Sequence, residues 1–124
     1  MSVSSRPRSI LVVDDDPIIR DMMVDILSFE DYPIAVARNG REALEKLRGK
    51  ENYLVFLDLM MPVMDGREFC KHFSADPSLR NRHAIVIMSA MDKMAEAASL
   101  PAQATLPKPF SVDDVMRVMQ PLMG

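Results

Sequence analysis

The sequence predicts an α/β protein, a five-stranded parallel sheet doubly wound with helices on both faces, and three observations carry that prediction. Ile10 to Val13, Leu54 to Leu57 and Ala84 to Met88 are short, uninterrupted apolar runs. They lack the alternation of a one-sided strand and read as strands buried on both faces, the habit of parallel sheets. Amphipathic segments of helix length separate the runs, which is the alternation that builds crossover units. Residues of chemical interest stand where runs end: Asp14-Asp15-Asp16 after Val13, Asp58 after Leu57, and Lys108-Pro109 after Leu106-Pro107. Ligands of such sheets sit outside the carboxyl ends of the strands, so these charges are expected in one crevice.

The elements follow in order. Asp16-Pro17 offers an N-cap acid with proline at the first helical position, and Ile19, Met22, Met23, Ile26 and Leu27 then recur on one helical face. Tyr32 to Ala37 is the second strand. Asn39-Gly40 has the composition of a hairpin turn, but Ala43, Leu44 and Leu47 behind it keep helical spacing, which predicts a second helix. Tyr53 to Leu57 is the third strand, and Asp65-Gly66-Arg67-Glu68 predicts a capping box opening the third helix, with Asp65 on the amides and Glu68 reaching back. Asp76 to Arg82 reads as a polar loop, Ala84 to Met88 as the fourth strand ending at Ser89-Ala90, Met91 to Ser99 as a short fourth helix, and Ala104 to Leu106 as a minimal fifth strand. Ser111 caps a last helix, with Asp113 and Asp114 near its positive end and Val112, Val115, Met116 and Met119 facing inward until Pro121.

A chain of 124 residues with net charge -3 is expected to be one domain, 9–124, behind a flexible tail, 1–8. Interspersed acids and bases give no basic stripe, so direct nucleic-acid binding is not expected, and no apolar run reaches membrane-span length. The single cysteine, Cys70, reads as a small buried apolar residue, and its isolation suits a reducing, cytoplasmic setting. His72 and His83 sit in polar surroundings, are expected to be exposed, and have no partner at metal spacing. Methionine is abundant, at 12 residues, and most are expected to be adaptable core filler.

The acids and the lysine suit phosphoryl transfer. An acidic pair with Asp58 offers hard oxygen ligands for Mg²⁺, an ion that accepts few protein carboxylates and keeps waters for a phosphate. A carboxylate can attack phosphorus to give an acyl phosphate if the transferring oxygens are neutralised, here by the cation on one side and Lys108 on the other. Asp58 is the candidate acceptor and Ser89 a hydrogen-bond donor to the arriving phosphoryl oxygen. Lys108-Pro109 is a candidate cis bond.

Val12-Val13-Asp14-Asp15-Asp16-Pro17, Leu57-Asp58-Leu59-Met60-Met61-Pro62-Val63-Met64-Asp65-Gly66, Met88-Ser89-Ala90 and Lys108-Pro109-Phe110 together resemble the receiver domains of two-component response regulators, of the single-domain type. The resemblance runs from Ser9 to about Met123. It implies a flavodoxin-like sheet of order 2-1-3-4-5, phosphorylation of Asp58, and Mg²⁺ bound by Asp15, Asp58 and the carbonyl of Met60, with Asp14 acting through a metal-bound water. It further implies switch and phosphate-pairing roles for Ser89 and Lys108, and a sensor histidine kinase or histidine phosphotransfer protein as phosphoryl donor. Phosphorylation would then change affinity for a downstream protein and admits a homodimer; the chain assists its own modification and is not otherwise an enzyme. Met60 and Met91 fall two residues after Asp58 and Ser89, positions that overlook the aspartyl phosphate in the family. Two departures stand out: Thr105 replaces a common Tyr or Phe, and the stretch from Ser89 to Lys108 is about one helical turn short, predicting a truncated fourth helix.

Two other readings compete. Asp14-Asp15-Asp16 after a strand also satisfies the Asp-x-Asp of haloacid-dehalogenase-like phosphatases, with Asp14 as nucleophile and Asp16 as acid, but this leaves Asp58 unexplained and replaces the usual polar continuation with Pro17-Ile18. A pseudo-receiver that works only as an unphosphorylated interaction module would have no use for the acidic pair, the acceptor and the lysine together.

Overall fold

A computed structural model describes residues 7–123. Five strands, β1 (Ser9–Val13), β2 (Ile34–Ala37), β3 (Tyr53–Asp58), β4 (Ala84–Ala90) and β5 (Ala104–Lys108), form one sheet in the order β2-β1-β3-β4-β5. Every pairing is parallel, with Ile10 opposite Ile34 and Leu54, Asp58 opposite Met88, and Ala90 opposite Lys108. The apolar runs are continuous because alternate residues of each strand enter different cores. Leu11, Val13, Val55, Leu57, Ile85 and Ile87 face one side, while Ile10, Val12, Leu54, Phe56, Val86 and Met88 face the other. Each such side chain removed from water contributes roughly 1.5–3 kcal/mol, and the central strands collect that gain on both faces.

Six helices clad the sheet: α1 (Pro17–Leu27), α2 (Gly40–Leu47), α3 (Gly66–Ser74), α4 (Pro77–Arg80), α5 (Met94–Ala98) and α6 (Val112–Met123). Helices α1 and α6 close one core with Met23, Ile26, Leu27, Val115, Met119 and Met123. The other core takes Ala43, Leu44 and Leu47 from α2, Phe69, Cys70 and Phe73 from α3, Leu79 from α4 and Ala97 from α5. The expected caps are in place: the amides of Ile18, Glu68 and Asp114 donate to Asp16, Asp65 and Ser111 at 2.9, 3.0 and 3.1 Å, and Asn39, not expected as a cap, accepts from the Glu42 amide at 2.9 Å. Asn39-Gly40 thus opens a helix, and the segment after Ser89 is truncated as expected, a 3₁₀ turn (Met91–Lys93) followed by the single turn of α5.

Four local expectations are corrected. The loop expected at 76–82 contains α4, where Asp76 accepts from the amide of Ser78 at 3.0 Å and Leu79 enters the core. The last helix passes through Pro121 to Met123, because proline in a final turn forfeits one ladder bond and the apolar face continues to Met123. His83 is buried, not exposed: its ring stacks on Tyr53, accepts from the Tyr53 amide at 3.0 Å, and lies 2.9 Å from the Leu47 carbonyl. Among the described residues Glu68 does not complete the capping box; the second oxygen of Asp65 pairs with Arg67 at 3.0 Å instead. Strand ends differ by a residue or two, with β4 and β5 each running two residues further and β2 starting at Ile34. Of the expected tail, residues 1–6 lie outside the described residues; Pro7 is buried and the Arg8 amide donates to the Asn52 carbonyl at 3.1 Å. Among the described residues no helix is long and apolar enough to cross a membrane.

Candidate functional site

The sheet delivers its strand-end residues to one crevice. Asp14 follows β1, Asp58 closes β3, Ser89 lies near the end of β4 and Lys108 closes β5; the central order β1-β3-β4 sets the first three side by side, and β5 brings the lysine across from the edge. Carboxylate oxygens of Asp14, Asp15 and Asp58 all lie within 4.8 Å of one another. Lys108 Nζ bridges two of them, 3.2 Å from Asp14 Oδ2 and 3.1 Å from Asp58 Oδ1. Asp14, Asp58 and Ser89 are buried, at 1%, 7% and 2% exposure, whereas Asp15 is open to solvent.

Local chemistry holds each group. Asp14 is pinned through its own backbone and side chain: Oδ1 accepts from the Asp16 amide at 3.0 Å, and its carbonyl accepts from Arg20 Nη1 at 2.7 Å. Asp16 is spent on capping α1 and stands exposed. After Asp58, the Leu59 amide donates to the Met88 carbonyl at 3.0 Å, and the Leu59 carbonyl accepts from the Gly66 amide at 2.9 Å, which closes the loop onto the start of α3. Glycine is required at 66, since a Cβ there would lie 2.9 Å from Leu59 Cα and 3.2 Å from the Asp58 carbonyl oxygen. Val63, at the tip of this loop, has φ 70°, a left-handed conformation that is costly for a β-branched residue. The Lys108-Pro109 bond is cis.

Electrostatics mark the crevice as short of positive charge. Burial, and then the neighbouring Asp14 charge, push the Asp58 carboxyl up to about 6 against the opposing pull of Lys108. Burial alone would lower Lys108, but the Asp58 and Asp14 charges outweigh it and hold the ammonium above its ordinary value. Three carboxylates meet here and the ammonium pairs with only two of them, leaving a hard, oxygen-lined, net-negative pocket, the donor set that suits Mg²⁺.

The predicted residues therefore fall into place unequally. Asp14, Asp15, Asp58 and Lys108 are brought together; Ser89 is beside them, with its hydroxyl donating to the Ala90 carbonyl at 3.1 Å. Met60, expected to contribute its backbone carbonyl, is 54% exposed as a residue, and its sulfur lies 3.5 Å from Arg67 Nη2. Sequence reasoning missed Arg67 and Glu96. Arg67 forms a two-pronged ion pair with Glu96, including a 2.8 Å contact from Nη2 to Oε1, and also pairs with Asp65, so it ties the loop after Asp58 to the helix after Ser89. No sequence signal links residues this far apart.

The sequence matches the family described as response regulator receiver domain over residues 10–120. The chain belongs to that family, as its strand order and strand-end acids and lysine already indicated. The response regulator MprA of Mycolicibacterium vanbaalenii is 38% identical over 120 residues, covering 94% of this chain and 51% of that protein. The chain thus spans about half the length of the curated relatives it matches. Among solved structures, a CheY-like receiver domain protein from Methanospirillum hungatei aligns with TM-score 0.81 and 30% identity over 94% of both chains. The receiver domain of the sensor histidine kinase PA1611 of Pseudomonas aeruginosa, which has magnesium in its active-site cleft, aligns with TM-score 0.84 at 21% identity over 95% of this chain and 98% of that one; at that identity the likeness is one of fold.

Proposed function

We propose that Asp58 is the phosphoacceptor of a signalling switch, charged by a phosphohistidine on a sensor histidine kinase or histidine phosphotransfer protein in the cytoplasm. The observation that carries the reading is Lys108 Nζ held between Asp14 and Asp58, at 3.2 and 3.1 Å, beside the buried hydroxyl of Ser89. An Asp58 oxygen attacks phosphorus, the P–N bond to the donor imidazole breaks, and an acyl phosphate forms. Lys108 balances the charge gathering on the phosphoryl oxygens, and Ser89 turns from the Ala90 carbonyl to donate to one of them. Asp14, Asp15, Asp58 and the Met60 carbonyl would hold Mg²⁺, the ion found in the PA1611 receiver, which when bound supplies the remaining positive charge. The added charge of about -1.5 to -2 then favours an arrangement of the loops after β3 and β4 that closes on the phosphoryl group, and that population shift alters affinity for a downstream protein.

The phosphatase reading has no support in the geometry, since its general acid, Asp16, is committed to the α1 cap. Intact mass after incubation with acetyl phosphate and Mg²⁺ tests the proposal. Wild type is expected to gain one phosphoryl group, dependent on Mg²⁺, and Asp58→Ala none; an equal adduct in Asp58→Ala would refute the assignment.

A further inference from the structure

A furrow runs along α3 on the face away from α1 and α6. Its upper hollow, of about 330 Å³, lies between Arg67, Cys70 and Ser74 of α3 and Glu96, Leu100 and Pro101 of α5 and its exit. Past Ser74 and Pro101 it adjoins a second hollow of about 390 Å³, bounded by Phe73, Arg80, Ala102 and Gln103. The floor is apolar, with Cys70 and Phe73 buried and Leu100 and Ala102 packed against the core. The lips are basic. Lys71 and Arg80 are exposed and form no ion pair among the described residues, while the acid in the wall, Glu96, is already paired with Arg67.

Ser74 supplies a second, independent sign. Its Oγ is buried and has no hydrogen-bond partner among the described residues, and its residue lines both hollows. A buried donor left without an acceptor is unfavourable, and because the residue as a whole is only half-buried, a turn of the hydroxyl about χ1 into the furrow would let it meet an arriving carbonyl or carboxylate oxygen. On a chain of net charge -3, an elongated apolar floor between unpaired cations selects an occupant that is itself elongated, partly apolar and acidic. A small anion would leave the floor unused.

We propose that this furrow docks an acidic, extended peptide segment of a partner protein, anchored by Lys71 and Arg80 and accepting a hydrogen bond from Ser74 Oγ. Its upper end is joined to the acceptor loop, because Arg67 contacts Met60 and Asp65 as well as Glu96. That link rests on the phosphoryl-switch reading, whereas the furrow itself does not.

The probe is a short fluorescein-labelled peptide of alternating glutamate and leucine, titrated by anisotropy against the unphosphorylated full chain, with ¹⁵N chemical shifts locating the contact. Binding is expected to shift amides of α3 and of residues 99–103, to weaken roughly tenfold in Lys71→Glu combined with Arg80→Glu, and to persist in Arg8→Glu combined with Arg117→Glu, which carries the same charge change. Ser74→Ala should weaken it several-fold with the fold intact. Absence of binding, equal losses in the two charge variants, or shifts elsewhere would overturn the proposal. Self-association of the chain that disappears in the Lys71/Arg80 variant would also overturn it, by assigning the furrow to a second copy. Repeating the titration on protein shown by mass to carry the phosphoryl group should change the affinity. An unchanged affinity with the group present refutes the link to the acceptor loop, and a failure to incorporate it refutes the switch reading while leaving the furrow to the first titration.

Discussion

Met60 and Met91 follow Asp58 and Ser89 by two residues each, and both are exposed, at 54% and 68%. At the rim of a crevice that would hold an acyl phosphate, a polar side chain could fix an attacking water, but a thioether is only a weak acceptor and donates nothing. The phosphorylated state is therefore expected to be long-lived. Met60→Asn and Met91→Glu should each hasten loss of the phosphoryl group by roughly tenfold, about 1.4 kcal/mol of barrier, as followed by mass after removal of the donor. Unchanged decay in both would contradict the account. Single residues also show the limit of local reading: Asp58, Lys108 and the Asp14-Asp15 pair were legible because each ends an apolar run. Arg67 and Glu96 were not, since each is an ordinary helix-surface charge until the fold sets them together.

At the scale of elements, the connection from β3 to α3 governs how the acceptor is presented. It turns back on itself through Gly66, whose amide bonds to Leu59 while its missing Cβ admits the Leu59 and Asp58 backbones. Gly66→Ala places a methyl group against main chain that cannot rotate away, so a loss of about 1–3 kcal/mol in urea unfolding is expected, with slower phosphorylation from a displaced Asp58. Stability equal to wild type would show that the loop yields. Element starts were well marked where Asp16, Asp65 and Ser111 each cap a helix with readable periodicity behind it, whereas at Asn39 the periodicity alone gave the helix and the cap emerged only in the structure. Asp76-Pro77 carries the same signature as Asp16-Pro17, yet α4 is a single turn and too short for periodicity to show.

For the whole molecule, His83 ties three elements at the end of the sheet opposite the crevice: the last carbonyl of α2, the first amide of β3 and the entry to β4. Burial, together with the nearby Arg82 charge and against the Leu47 carbonyl, pushes its pKa from 6.5 down to about 4. The unfolded chain thus takes up a proton near pH 6.5 that the folded chain refuses until about pH 4. Stability present above pH 6.5 is lost as pH falls through this window, by about 2 kcal/mol at pH 5. Asp58, its carboxyl raised to about 6, takes up a proton in the folded state over the same window and offsets part of this loss in any variant that keeps it. Urea titrations at pH 7.5 and 5 should therefore show a change in wild type that is more unfavourable than in His83→Gln by about 2 kcal/mol; equal changes in the two would contradict the assignment. The sequence placed this histidine at the surface because its neighbours Asn81 and Arg82 are polar, and only the packing of Tyr53 over the ring reverses that.

By itself the sequence determined the strand runs, the parallel sheet, most helix starts and the acids and lysine that end the runs, because burial on both faces and capping leave signals within a few residues. The tertiary structure decided which of those charges touch, that the crevice is short of positive charge, that His83 is buried, and that Arg67 bridges Asp65 to Glu96 above a basic furrow. Distances and burial between residues far apart in the chain depend on how the helices settle on the sheet, and no local pattern of side chains encodes them.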